Sequence, residues 1–238
     1  MDLGRKLSTY RSKRRFDVTP EPKGERIAGG KARRPLVYTM QKHMASHLHY
    51  DLRLEWAGVL LSWAIPKGPS LDPGAKRLAM QTEDHPIEYA EFEGVIPRGE
   101  YGAGTVMLWD RGHWTPEVDN VEGALEKGDL KFTIEGEKLR GSWVLVHTHG
   151  YGGDPRRKSW LLIKHRDRFA STSDVTKKEP RSVKSGRLLA GIARDEGGDV
   201  QRAAEGDPAA GTRAPRAARA APGAKRAGTA KRARGIRE

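Results

Sequence analysis

The sequence predicts a mainly β protein: a small closed antiparallel β-barrel with one or two short helices and basic disordered arms. Three observations lead there. Between about 35 and 170, apolar residues recur in short runs, several alternating strictly with polar ones. Turn residues separate these runs, and a single segment carries helix signals. The elements follow in order as Leu36–Met40, Leu48–Glu55, Val59–Ile65, Arg77–Gln81 and Ile87–Glu91. Thr105–Asp110 then reads as one arm of a tight hairpin that reaches Trp114 through Arg111-Gly112. Asn120–Lys127 reads as one short helix with Asn120 as its cap. Leu130–Ile134, Trp143–His147 and Trp160–Lys164 complete the set. Eight or nine short strands with almost no helix to cover them hide their edges best by closing on themselves. The Gly-rich stretch Gly99–Gly104 lacks the strand-to-helix context of a phosphate loop and reads as bends at a barrel corner.

Charge divides the chain further. Residues 1–34 carry a net +7, residues 35–170 a net −2, and residues 171–238 a net +8, giving +13 in all. Two basic arms on a nearly neutral body attract polyanions and favour nucleic acid as partner through counterion release. Beyond Phe169 aromatics cease and Ala, Gly, Pro, Lys and Arg take over, so 171–238 reads as a disordered tail. There is no cysteine, which excludes disulfides, Cys-based zinc sites and thiol nucleophiles. No apolar run approaches the roughly 20 residues of a membrane span. The expectation is a soluble, cytoplasmic, nucleoid-associated protein with no membrane partner.

The chemistry concentrates in His49-Tyr50-Asp51-Leu52-Arg53-Leu54-Glu55. In a strand, Tyr50, Leu52 and Leu54 face the core while His49, Asp51, Arg53 and Glu55 share the other face. Neighbours on that face stand roughly 6.5–7 Å apart at Cα. His49 and Asp51 can therefore converge on one ion, with Arg53 one step on to hold an anion that bridges to it. A solvated strand face is polar in any case, and His-x-Asp alone is a weak signal; His43 and His47 just upstream strengthen it. Imidazole with carboxylate suits Zn, Mn or Fe. The set fits metal-assisted phosphoester chemistry.

Longer motifs then carry a family resemblance. Gln41-Lys42-His43, His49 to Glu55, Ser62-Trp63-Ala64-Ile65-Pro66-Lys67-Gly68-Pro69-Ser70, Glu83-Asp84-His85-Pro86-Ile87-Glu88-Tyr89 and Gly94 to Gly104 occur in that order, with Trp160 to Lys164 as a closing strand. Over roughly residues 8–170 the chain resembles the 3′-phosphoesterase module of bacterial DNA ligase D. The resemblance implies a surface active site on a small β-barrel and manganese-dependent healing of DNA 3′ ends. The implied reactions are conversion of a 3′-phosphate to a 3′-hydroxyl and removal of a 3′-terminal ribonucleoside. It implies His43, His49 and Asp51 as metal ligands for Mn2+, with Zn2+ or Co2+ as alternatives. His47 falls where the family does not require histidine and reads as a surface residue. Arg53 and Arg77 match phosphate-clamping arginines, His85 a catalytic histidine and Tyr89 another active-site position. Lys67 lies in what resembles a substrate-facing loop. Tyr10 to Pro22, within the basic arm 1–34, resembles a family segment that folds over the site, with Arg14 and Glu21 serving the reaction.

Two departures stand out. Arg15 replaces the family's usual Asp, from which weakened ribonucleoside removal is expected. The ligase and polymerase modules are not in this sequence. The expected partners are DNA 3′ ends, together with a separate DNA ligase and a Ku-type end-binding protein. The competing reading is a non-catalytic DNA-binding accessory protein, which would have no use for the full set of His43, His49, Asp51, Arg53 and His85.

Overall fold

The computed structural model describes residues 3–24, 34–148 and 159–209. Its centre is an antiparallel barrel of eight strands: β1 (Leu36–Met44), β2 (Leu48–Trp56), β3 (Val59–Ile65), β4 (Arg77–Gln81), β6 (Gly104–Pro116), β7 (Asp129–Gly136), β8 (Arg140–His147) and β9 (Ser159–Lys164). The order around the barrel is β1-β2-β3-β4-β9-β8-β7-β6, and β6 pairs back onto β1. A short strand, β5 (Gly94–Ile96), lies against the outer end of β6. Side-chain alternation drives the closure. In β7, Leu130, Phe132 and Ile134 point inward while Asp129, Lys131 and Glu135 stay exposed. Inside, Trp63, Trp109, Trp114 and Trp143 pack with Tyr38, Met40, Leu52 and Leu54, all essentially solvent-free. After the short N-terminal helices α1 (Leu3–Lys6) and α2 (Ser8–Ser12), helix α3 (Val121–Lys127) is capped by the Asn120 side chain, which accepts from Gly123 N at 2.9 Å.

Two expected elements take other forms. Ile87–Glu91 is a turn of 3₁₀ helix and not a strand. It lies over the outer face of β1, where side chains consume its carbonyls: Gln41 Nε2 donates to Tyr89 O and Phe92 O, and Thr39 Oγ1 to Ala90 O. Without those groups it has no ladder to join. Arg111-Gly112 is not a hairpin turn either, because β6 runs unbroken through both residues. Gly112 stands opposite Tyr38 of β1 and Gly136 of β7. A Cβ there would sit 2.1 Å from Glu135 O, so this glycine permits close strand approach at the seam.

Gly99, Gly102 and Gly104 all have positive φ and bend the chain into β6. Gly104 is the tightest: at φ +147°, a Cβ would meet Met44 O at 2.1 Å. Gly104→Ala is expected to destabilise the fold by about 1–3 kcal/mol, read as a lower denaturation midpoint against wild type.

The ordered chain extends further than composition suggested. Past residue 171 come α4 (Val175–Lys178), α5 (Leu189–Asp195) and α6 (Val200–Ala204). The barrel supplies the apolar surface that the segment lacks, so a few buried residues, among them Leu189, Ile192 and Ala193, suffice to dock it. Its polar groups also find barrel partners. Val183 N donates to Leu108 O, Trp109 Nε1 to Glu179 O, and Arg202 Nη2 to Ser46 O. The remainder of the expected tail, 210–238, lies outside the described residues. Among the described residues no helix is long and apolar enough to cross a membrane.

Candidate metal centre and phosphate pocket

The β1–β2 hairpin builds the centre. Its register sets His43 opposite His49 and Gln41 opposite Asp51, so all four side chains stand on the outer barrel face. His43, His49 and Asp51 offer ligand atoms that lie within 4.8 Å of one another. His43 Nε2–H donates to Gly102 O at 2.9 Å, and His49 Nδ1–H donates to His47 O at 3.0 Å. These bonds leave His43 Nδ1 and His49 Nε2 as lone-pair donors, each 3.7 Å from Asp51 Oδ2. Imidazoles fixed through their far nitrogen by backbone carbonyls are the arrangement metal-binding histidines use. Burial pushes the His49 pKa down, against the opposing pull of Asp51 and with Arg53 adding to it, so the ring stays neutral and ready to ligate. Burial opposes the charge on Asp51, but the Arg53 guanidinium outweighs it and holds the carboxyl well below the usual range. Two imidazole nitrogens and one carboxylate fit a divalent transition metal. His47 itself is exposed and contributes only its carbonyl.

Beside this triad lies a preorganised guanidinium. Arg53 Nε donates to Gln41 Oε1 at 2.7 Å, Nη1 to Ser62 Oγ at 2.9 Å, and Nη2 lies 3.3 Å from Asp51 Oδ2. Three of its five donors are thereby used and the fork is locked over the Tyr89 ring, 4.7 Å from the centroid. His85 faces it across Ser62. Its Nδ1–H donates to Glu83 O at 2.8 Å, which leaves Nε2 as an acceptor 3.4 Å from Arg14 Nη2. Burial, then the charges of Arg53 and Arg14, push the His85 pKa well below its ordinary value.

Residues 3–24 cover this face. Tyr10 is fully buried against the His85 and Tyr89 rings. Arg14 lies over Tyr10 and is held by Glu21 Oε1 at 2.8 Å, while Thr19 fixes the other carboxylate oxygen at 2.9 Å. Lys13 pairs with Glu83 at 3.0 Å. Arg15 reaches outward to Glu100, and neither it nor Asp17 lines the pocket.

The result is a cavity of about 230 Å³ that brings together Arg14, His43, His49, Asp51, Arg53, His85 and Tyr89. Glu21 acts on it through Arg14. Arg77 and Lys67, both expected at the site, do not line it. Met80 pairs with Ala64, which does line the cavity, but Arg77 is three residues away on a pleated strand and so faces the other side. Lys67 is exposed in the turn after β3. Sequence reasoning overlooked Gln41, Ser62, Glu83 and Tyr101. Strand period could have supplied Gln41, which shares a face with His43. Nothing local marks Ser62 or Glu83, whose roles arise from neighbouring chain segments.

Comparison with known proteins agrees with this geometry. Residues 41–147 match the family described as DNA Ligase D 3′-phosphoesterase domain. The chain is 51% identical over 192 residues to the multifunctional non-homologous end joining protein LigD of Pseudomonas aeruginosa, which covers 79% of this chain and 22% of that protein. It is 42% identical over 167 residues to the protein of the same name from Mycolicibacterium smegmatis, covering 68% of this chain and 21% of that protein. The corresponding DNA repair protein LigD of Mycobacterium tuberculosis is 40% identical over 147 residues, covering 61% and 19%. The chain thus spans about one fifth of the length of these curated relatives. Through the barrel that carries His43, His49 and Asp51, it belongs to the DNA ligase D 3′-phosphoesterase domain family.

Proposed function

We propose that this chain is a metal-dependent DNA 3′-end-healing phosphoesterase acting in double-strand break repair by end joining. The observation that carries this reading is the convergence, in one small cavity, of three metal-type ligands with Arg53, Arg14 and His85. Charge supports a phosphate substrate. Lys13, Arg14 and Arg53 are matched by Glu83, Glu21 and Asp51, so the protein's own formal charges balance. A divalent ion held by His43, His49 and Asp51 adds two positive charges, opposite to those of a terminal phosphate. Bound there, the metal supplies Lewis-acid polarisation of a phosphoryl oxygen; Mn2+ is the proposed ion, with Zn2+ and Co2+ as the alternatives to test.

The protein's own groups do the positioning. Arg53 presents its two unused N–H groups to equatorial phosphate oxygens, and its locked fork needs no reorganisation as charge spreads in the transition state. Arg14 adds a second guanidinium from the covering arm. The His85 Nε2 lone pair, held by the Nδ1–H bond to Glu83 O, can orient or deprotonate an attacking water. Tyr89 remains protonated, because burial pushes its pKa well up, and it backs Arg53 with its ring. Removal of a 3′-terminal ribonucleoside is proposed as the second activity, weakened by Arg15. The proposed partners are a separate ligase and a Ku-type end-binding protein, in a cytoplasmic setting.

The test is phosphate release from a primer–template with a 3′-phosphate, with Mn2+, Zn2+ or Co2+ added in parallel. Release that needs metal and is lost in His49→Ala is expected. DNA binding without release in any metal would make the chain a non-catalytic DNA-binding protein instead.

A further inference from the structure

The metal cavity, at about 230 Å³, is smaller than the roughly 300–1,000 Å³ that sites for larger organic ligands occupy. It holds the reacting phosphate and little more of a DNA strand. Across a ridge formed by Ala45 and Ile96, which line both, it meets a second groove of about 780 Å³ between β5 and the α5–α6 turn. The walls of that groove are Pro20, Val95, Pro97 and the backbone of Gly197–Gly198. They offer apolar faces and no array of side-chain donors matched to base edges, which suits sugars and base faces of any sequence.

The charges of the groove point the same way. Glu93 is taken up by Leu108 N, Ser182 Oγ and Arg187. Glu196 pairs with Arg187 at 3.7 Å. Asp199 caps α6 by accepting from Arg202 N at 2.9 Å. Arg98 on the rim is different: it is exposed and has neither hydrogen bond nor ion pair among the described residues. The carboxylates of the groove are thus held by partners within the protein, and Arg98 is the exposed cation on its rim left to meet a phosphate.

We propose that this groove is the binding subsite for the single strand leading to the reacting 3′ end, with Arg98 engaging a backbone phosphate one or two nucleotides upstream. The proposal rests on the DNA 3′-end reading above and names how that substrate is held. It requires the enzyme to prefer a 3′-phosphorylated oligonucleotide over a nucleoside 3′-phosphate, and it makes Arg98 a source of that preference.

The experiment compares kcat/KM for a 3′-phosphorylated hexanucleotide and a nucleoside 3′-phosphate in wild type, Arg98→Ala and Arg98→Lys. The hexanucleotide-to-nucleoside ratio is expected to fall about tenfold in Arg98→Ala, and the salt dependence of oligonucleotide binding by about one unit of log–log slope. Arg98→Lys, which keeps the charge, should retain most of both. An equal loss on both substrates, or no loss, overturns the proposal. A second readout uses hexanucleotides with 4-thiothymidine at the second or third position from the 3′ end, with photo-crosslinks mapped by peptide. Crosslinks in Gly94–Arg98 or Gly197–Arg202 support the groove even if the wild type releases no phosphate, in which case only the enzymatic reading fails. An active wild type that crosslinks elsewhere sinks the groove and leaves that reading standing.

Discussion

Asp51→Asn is expected to lower divalent-metal affinity by more than about 100-fold, since even outer-shell partners of such ligands cost 10–100-fold, and to remove phosphate release. The substitution keeps the size of the side chain and removes its charge. Asp51 stands between both imidazoles and Arg53, so it is the one group that ties the ion to the phosphate clamp. Titration calorimetry with the metal alone reads the affinity without relying on turnover. Arg53 keeps its bonds to Gln41 and Ser62, so the variant should still fold; circular dichroism checks this. Metal affinity equal to wild type would move the centre away from these three residues.

His85→Gln should act differently. A drop of about 10²–10⁴-fold in phosphate release is expected, the usual worth of a positioned acid–base group, with metal affinity nearly intact. His85 lies in the cavity but outside the ligand set, so the two variants separate metal holding from proton handling. Stability should respond to pH as well. The His85 pKa is depressed in the folded chain, so below about 6.5 the unfolded chain binds a proton that the buried ring refuses. Its contribution is therefore complete above that pH and lost as pH falls towards the folded-state pKa. Denaturant midpoints of wild type should fall faster below pH 6.5 than those of His85→Gln. Parallel curves would show that the ring is not held neutral.

Much of the barrel was legible because strand period is a local signal. Leu48 to Glu55 announced both its faces, and the polar face is the one that carries His49, Asp51 and Arg53. That face is not solvated, however. Gln41, Arg53 and Ser62 are nearly solvent-free because residues 3–24 and the 3₁₀ turn roof them over. Alternation tells which residues share a face and is silent about what covers it. The misread Ile87–Glu91 has the same origin, since its conformation is decided by Gln41 and Thr39 some 50 residues earlier. Arg77 shows the limit of matching motifs by residue type: one step of pleat decides which side of a strand a guanidinium serves. The docked segment after 171 escaped notice because its sparse apolar residues look too few alone and become sufficient only against a preformed surface.

That docking bears on how the centre comes into being. Arg202 of α6 grips the backbone of Ala45 and Ser46, in the turn whose two flanks are His43 and His49, across more than 150 positions of sequence. Gly206 packs against Leu189, Met44 and Leu48 at the base of the same turn. Closing such a span costs more chain entropy than pairing neighbouring strands, and a chain emerging from the ribosome can make this contact only after the barrel strands have appeared. The barrel strands can pair before then, but the ligand-bearing turn acquires its brace only when α6 arrives. The functional unit therefore extends at least to Gly206, and a fragment cut at the last barrel strand would carry all three ligands without the support that holds their turn in place.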